Sequence, residues 1–201
     1  MNFAKTLISL LVLISVNCFS QNKDSLDIRD ITKVTFLDPG ISYEKRIGKF
    51  QSLQAQLYMS PTIGFLVSST FNYSALRLDP AINLQYRYYY NVAKRHAKGK
   101  RTEMNSSNYV GLLSDISFSK DGYLSTYYGD KTLHPLYAFG IVWGLQRNYK
   151  KRFSLDLNVG PGYLYRRFVK VNNADQFVFS YSGQFSTVGQ LKLGFWLNKR
   201  K

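Results

Sequence analysis

A chain of 201 residues that is 45% apolar and 16% aromatic is too hydrophobic for disorder and has the length of one domain. Its formal charge of +15, from 27 Lys and Arg against 12 Asp and Glu, asks for an anionic neighbour: nucleic acid, a membrane surface or a polymer. A lone cysteine, Cys18, excludes an internal disulfide, and two well-separated histidines, His96 and His134, argue against a structural zinc centre.

Residues 1–20, MNFAKTLISLLVLISVNCFS, carry Lys5, an apolar core from Leu7 to Val16, then small and polar residues. This is the layout of a secretory signal peptide, with Ser20 before Gln21 as the expected cut. The apolar core is short of the roughly 20 residues that a membrane-spanning helix needs. A lipoprotein reading would acylate Cys18, but Ser15-Val16-Asn17 before it matches the usual signal poorly. The leader holds only one charge, Lys5, so nearly all of the basic excess belongs to the mature chain.

Residues 21–27 form a polar lead-in, expected to be flexible, before a domain over 28–198. Strand material over 31–47 is broken at Asp38-Pro39-Gly40. Val34 and Phe36 take even positions while Ile41 and Tyr43 take odd ones, and a turn or bulge at the break explains the change of phase. Over 52–65, Leu53, Ala55, Leu57, Met59, Ile63 and Phe65 alternate with polar or small residues. After an expected loop at 66–75 the pattern returns over 76–90, with Leu78, Ile82, Leu84, Tyr86, Tyr88 and Tyr90 opposite Arg77, Asp79, Asn83, Gln85 and Arg87. A period of two places such residues on opposite faces of a strand.

Residues 91–107 make a basic connection, followed by a strand at 108–118 in which Leu113 breaks the alternation. A second loop is expected over 119–135. The strictest hairpin follows: Tyr137, Phe139, Ile141, Trp143 and Leu145 on one arm, and Phe153, Leu155, Leu157, Val159, Pro161, Tyr163 and Tyr165 on the other, joined by a basic turn from Arg147 to Arg152. After a third loop at 166–176, a long run over 177–197 sets Phe185, Leu191, Leu193 and Phe195 against Ser182, Gln190, Lys192 and Gly194.

These segments are about as long as the roughly 9–11 residues with which a tilted strand crosses a bilayer. Aromatic residues gather at their ends (Tyr86, Tyr88 and Tyr90; Tyr163 and Tyr165; Phe195 and Trp196), where amphipathic rings favour the headgroup level. The expected fold class is therefore all-β: an antiparallel up-and-down transmembrane β-barrel of about eight strands after a cleaved signal peptide. Seven strands are evident, and residues 28–37 supply the eighth. Leu53, Leu57, Ile82, Leu84, Phe139, Ile141, Trp143, Leu155, Leu157, Val159 and Leu193 are expected to face lipid. With its leader ending FSQN, its alternating strands, its aromatic ends and its terminal GFWLN, the chain resembles the small outer-membrane β-barrel proteins of Gram-negative bacteria, of OmpA-like or OmpW-like type. That resemblance implies export to the outer membrane. It leaves open structural anchors, adhesins, narrow pores and lipid-modifying enzymes.

Glu44, Arg77, Asp79, Arg87, Asp115, Asp156 and Lys192 fall on the expected interior face. In so narrow a barrel they form a side-chain plug in preference to an ion path. His134 with Asp130 and Ser125 would suit a hydrolase site, but no nucleophile elbow or oxyanion glycine accompanies them, and a solvated loop histidine is the simpler reading. No catalytic residue, cofactor or metal is assigned. KRHAKGKR, residues 94–101, lacks a recognition helix or stacking module, so nucleic acid is not the expected partner. Outer-membrane lipid is, with anionic headgroups or a periplasmic polymer at the basic turns. The leading reading is a structural or surface-interaction barrel with a polar, side-chain-filled interior. The alternatives are a barrel-embedded lipid-modifying enzyme and a soluble periplasmic ligand-binding barrel.

Overall fold

The computed structural model describes residues 26–67, 72–120, 132–171 and 177–198, without side chains at 62–67, 72–77, 120, 168–171 and 177. The expected leader with Cys18, the residues Ser125 and Asp130, and the side chain of Arg77 lie outside the described residues.

Eight antiparallel strands follow one another up and down: β1 (Ile31–Leu37), β2 (Gly40–Gly48), β3 (Gln51–Val67), β4 (Asn72–Tyr88), β5 (Asn108–Lys120), β6 (Leu133–Asn148), β7 (Phe153–Val171) and β8 (Phe177–Trp196). Each pairs with its neighbour in sequence, and β8 pairs back to β1 through Lys33↔Trp196 and Val34↔Phe195, closing the sheet into a barrel-like ring. The Asp38-Pro39 break is a hairpin turn, with Asp38 at φ 53, so β1 supplies the eighth strand and the phase change has its cause. A path across the ring that leaves β8 at Trp196 runs through Lys33, Ser42, Gln56, Asn83, Asp115, Ala138 and Leu164 and returns to β8 at Gln184, twelve residues further up. Stagger tilts the strands and widens the ring, and an eight-stranded ring has room for packed side chains or one small guest.

The ring is uneven in height. β1 and β2 have 7 and 9 residues, whereas β3 and β4 have 17 each and β7 and β8 have 19 and 20. Strand replaces most of two expected loops, because β3–β4 and β7–β8 stay paired to Val67↔Asn72 and Val171↔Phe177. The connections there shrink from 66–75 and 166–176 to 68–71 and 172–176, and that expected over 119–135 to 121–132. Hairpin pairing continues wherever both arms can still exchange hydrogen bonds, whatever the polarity of their side chains. At the other end the basic turn narrows to 149–152, and the connection after Tyr88 carries a short helix, α1 (Val92–Ala97).

The two faces are sorted by size and polarity. Leu53, Leu57, Ile82, Leu84, Phe139, Ile141, Trp143 and Val159 are exposed on the outside, Leu57 at 59% and Ile141 at 63%, while Leu155, Leu157 and Leu193 are half-buried there. Inside, Glu44, Asp79, Arg87, Asp115, Asp156 and Lys192 are buried. Tyr88, Tyr90, Tyr163, Tyr165 and Phe195 project outward, and Tyr86 is half-buried. Trp196 departs from the expected aromatic girdle. It is 1% exposed and faces inward, because the residue after outward-facing Phe195 must point to the opposite side. Its indole N–H donates to the Tyr149 carbonyl at 3.1 Å.

The interior is not polar throughout. Leu113, Ala138, Val142 and Val188 form an apolar tier with Tyr89 and Tyr109, extended by Ile28 and Val92. Glycines make this tier possible. A Cβ on Gly144 would lie 2.3 Å from the Tyr109 ring, and one on Gly140 would lie 2.4 Å from Val188 Cγ2. Gly144→Val therefore displaces the Tyr109 ring, and an overpacking loss of about 1–3 kcal/mol is expected in the unfolding midpoint. Pro161, between Gly160 and Gly162, leaves β7 unbroken and faces outward.

Candidate functional site

The lower half of the interior holds a charged hub drawn from seven strands and the 89–107 connection. The Glu44 carboxylate accepts hydrogen bonds from Ser52 Oγ at 2.8 Å, Tyr89 OH at 2.6 Å, Asn105 Nδ2 at 2.9 Å and Gln146 Nε2 at 3.2 Å. Asp156 accepts from Tyr109 OH at 2.8 Å and pairs with Arg87 at 2.9 Å and Lys33 at 3.4 Å. Lys33 and Arg87 share the side-chain oxygen of Gln146, Oε1, at 2.6 and 2.7 Å, and both lie 3.9 Å from Glu44. The Arg87 guanidinium stacks 4.3 Å from the Tyr109 ring centre, and its Nε donates to Gln85. Two carboxylates and two cations, held by neutral donors on several sides, satisfy the condition under which buried charges persist.

A second cluster lies higher in the ring. Asp115 accepts from Tyr58 OH at 2.8 Å, Asn83 Nδ2 at 3.0 Å and Gln190 Nε2 at 3.3 Å; Gln190 also reaches Tyr58 OH at 3.3 Å. Because Tyr58 is on β3, Asp115 on β5 and Gln190 on β8, this cluster is a bar across the lumen.

Below the hub the ring is stopped. The 89–107 connection, the longest between the strands, folds under it, so the basic run is not a simple solvated turn. Asn105, at φ 58, exchanges two hydrogen bonds with the Arg29 backbone, at 2.7 and 2.8 Å, while its amide also reaches Glu44. Asn tolerates this left-handed backbone because its short polar side chain bonds locally. Ser106 and Ser107 are buried, and the Ser107 carbonyl accepts from the Gln146 amide at 2.8 Å. Arg95 and Arg101 donate to the Ser106 and Asn148 carbonyls, whereas Lys94, His96, Lys98 and Lys100 are exposed. The segment before β1 is tied down as well: Asp27 pairs with Arg46 at 2.7 Å, and Asp30 accepts from the Arg46 amide, Tyr43 and Lys45. Partial burial would raise the Asp30 pKa, but these donors hold it below the ordinary carboxylate value.

Of the interior residues expected from the sequence, the ring brings Glu44, Arg87 and Asp156 into one hub with Lys192 on the same side of the lumen, and places Asp115 in the bar. Asp79 is buried as well. The His134 ring nitrogen contacts the Arg167 guanidinium. Lys33, Tyr89, Tyr109 and Asn105 belong to the hub and escaped the sequence reading. For Lys33 a signal existed: Val34 and Phe36 point outward, so Lys33, the residue before Val34, must point in. Asn105 left none, since its place depends on how an irregular connection folds back. Among the described residues no cluster of His, Cys, Asp and Glu could hold a metal ion. Neither protein-family models, nor curated proteins, nor solved structures give a match to this chain.

Proposed function

We propose that this chain is an integral outer-membrane β-barrel, exported by a cleaved signal peptide, with a structural or surface-interaction role. The observation that carries the reading is the inversion of the two faces. Leu57 and Ile141 are exposed outside, while Glu44, Gln54, Gln56 and Arg87 are at or below 1% exposure inside. A water-soluble ring does the reverse, since burying charge costs free energy and exposing a continuous apolar belt gains none. Hydrocarbon around the belt removes that cost, and the ring leaves no unpaired sheet edge where all eight strands meet. The outward tyrosines suit the headgroup level: Trp143 Nε1 donates to Tyr90 OH at 2.8 Å near one end, and Tyr163, Tyr165, Tyr181 and Phe185 cluster towards the other.

On this reading the stopped end, with the start of β1, the close of β8 and Lys94, Lys98 and Lys100, faces the periplasm. The long β3–β4 and β7–β8 hairpins then stand outside. A plugged, hydrogen-bonded interior supports anchoring or surface contact over conduction, and the role needs no catalytic step. A soluble ligand-binding barrel would need apolar residues inside and polar ones outside, opposite to the sorting of Leu57 and Gln56. The test is membrane fractionation. The mature protein is expected to stay in the outer-membrane fraction through a carbonate wash and to migrate differently on gels before and after boiling. Release by the wash would overturn the proposal.

A further inference from the structure

The wall of the ring is complete only to the height of its shortest hairpin. β1 ends at Leu37, paired with Leu193, and β2 begins at Gly40, paired with Tyr58. Beyond those pairs β8 continues to Phe177 and β3 to Val67. Above the Asp38-Pro39 turn β8 and β3 flank the same opening, yet among the described residues they form no backbone pair with each other. The top of the hairpin is closed by the Met59 amide, which donates to the Pro39 carbonyl at 2.8 Å. Above it is a window with an open strand edge on each side.

Parity shows what the β8 edge presents. The Trp196 amide donates to Arg152, beside β7, whereas the Leu197 amide donates to Thr32 on β1, so odd-numbered residues turn their main-chain groups towards β1. The β7–β8 register runs unbroken, so Leu191, Gly189, Thr187 and Phe185 turn theirs into the window. Their partners on β7 are Leu157, Val159, Pro161 and Tyr163, which lie along the apolar outer belt. On the proposed reading this edge is therefore at the depth of hydrocarbon, where no water can satisfy it and open sheet edges do not persist. The facing edge is blunted. Met59 turns its amide towards β2, so Pro61, which has no N–H, occupies the window side of β3.

We propose that the β8 edge from Phe185 to Leu191 receives an extended segment of a partner protein, added to the sheet as a strand, an inference that rests on the lipid-facing reading of the outer face. The chain itself is badly placed to supply that strand. Residues 68–71 and 172–176 only join the arms of their own hairpins, and 121–131 lies between β5 and β6, across the ring from the window. Before Leu26 the expected mature chain has only the polar Gln21-Asn22-Lys23-Asp24-Ser25. A second copy offers its β3 edge, blunted by Pro61, or its β8 edge, which in the same membrane orientation runs the wrong way for antiparallel pairing. In strand addition the main-chain hydrogen bonds supply affinity and alternate side chains supply specificity. The partner's outward residues meet lipid and are apolar, and Gly189 leaves room for a bulky one opposite it.

The test places the photo-cross-linker p-benzoylphenylalanine singly at Leu191, Thr187 or Phe185, and at Ile141 as a control, in the full-length protein in its own outer membrane. The three window positions are expected to attach to one polypeptide. Its attachment point should move by about two residues between Phe185 and Thr187 and by about four between Thr187 and Leu191, the step of paired strands. Ile141 is expected to attach to lipid. Thr187→Pro removes a donor from the open edge and none from the β7–β8 ladder, so it is expected to fold and to lose the adducts at Phe185 and Leu191. Lipid adducts alone at the window, attachment points without a regular step, attachment within this chain, or undiminished adducts in folded Thr187→Pro overturn the inference. Should Thr187→Pro fail to fold, the stepping decides. Release by a carbonate wash counts against the membrane reading, whereas lipid adducts at the window of a retained protein overturn strand addition alone.

Discussion

Arg87→Met is expected to destabilise the fold by about 3–5 kcal/mol, the usual cost of breaking a buried ion pair from one side. The guanidinium pairs with Asp156 at 2.9 Å and donates to Gln146 at 2.7 Å, with neither partner reachable by water. Its removal leaves two carboxylates, Glu44 and Asp156, to share Lys33. Asp156→Leu falls in the same range for the converse reason: Arg87 and Lys33 lose their nearest counter-charge, and Tyr109 OH loses its acceptor. The informative protein carries both changes. Taking out one charge of each sign restores the balance that either single change upsets, so the double variant is expected to lose less than the two single losses added, with a coupling of about 0.5–3 kcal/mol. Denaturant midpoints of the four proteins measure it. Strict additivity would mean that the two residues do not act through one hub.

Ile141→Arg tests the outer face. Ile141 lies mid-strand on β6, in register with Leu112, with Phe139 and Trp143 on either side of it along the strand. In hydrocarbon an arginine there costs about 2–4 kcal/mol, and close to the membrane surface the same change costs about 0–1. Phe195→Arg, next to the end of β8, should therefore be several-fold milder than Ile141→Arg. Were the outer face in water, both would stay within about 0.5 kcal/mol, because surface substitutions away from special contacts rarely do more. Folding yield into lipid vesicles and the denaturant midpoint there read the difference. Equal, small effects at the two positions would remove hydrocarbon from the account.

Several particulars show how far the chain could be read before folding. The alternation at 52–65 places Leu57 and Gln56 on opposite faces, because consecutive side chains of any strand must diverge, and the ring keeps that sorting. The same rule, applied strictly, would have turned Trp196 inward beside outward Phe195 and brought Lys33 in with Thr35. Grouping aromatic residues by chemistry instead of parity put Trp196 on the wrong face. Strand length was less legible. The tips of β3–β4 and β7–β8 contain Ser, Asn, Arg and Lys, which read as loop, yet ladder hydrogen bonds hold them paired up to Val67↔Asn72 and Val171↔Phe177.

By itself the sequence determined which side chains share a face, where the hairpins turn and how the two faces differ in polarity. These are local properties, set by a two-residue repeat and by the dihedral preferences of residues such as Pro39. Tertiary structure alone decided which inward residues meet. Lys33 and Asp156, 123 positions apart, come within 3.4 Å only because the strands close with a particular stagger. Asn105 reaches Glu44 only because the connection after β4 folds back under the ring. Stagger and fold-back sum the geometry of every strand and turn, so no stretch of sequence carries them.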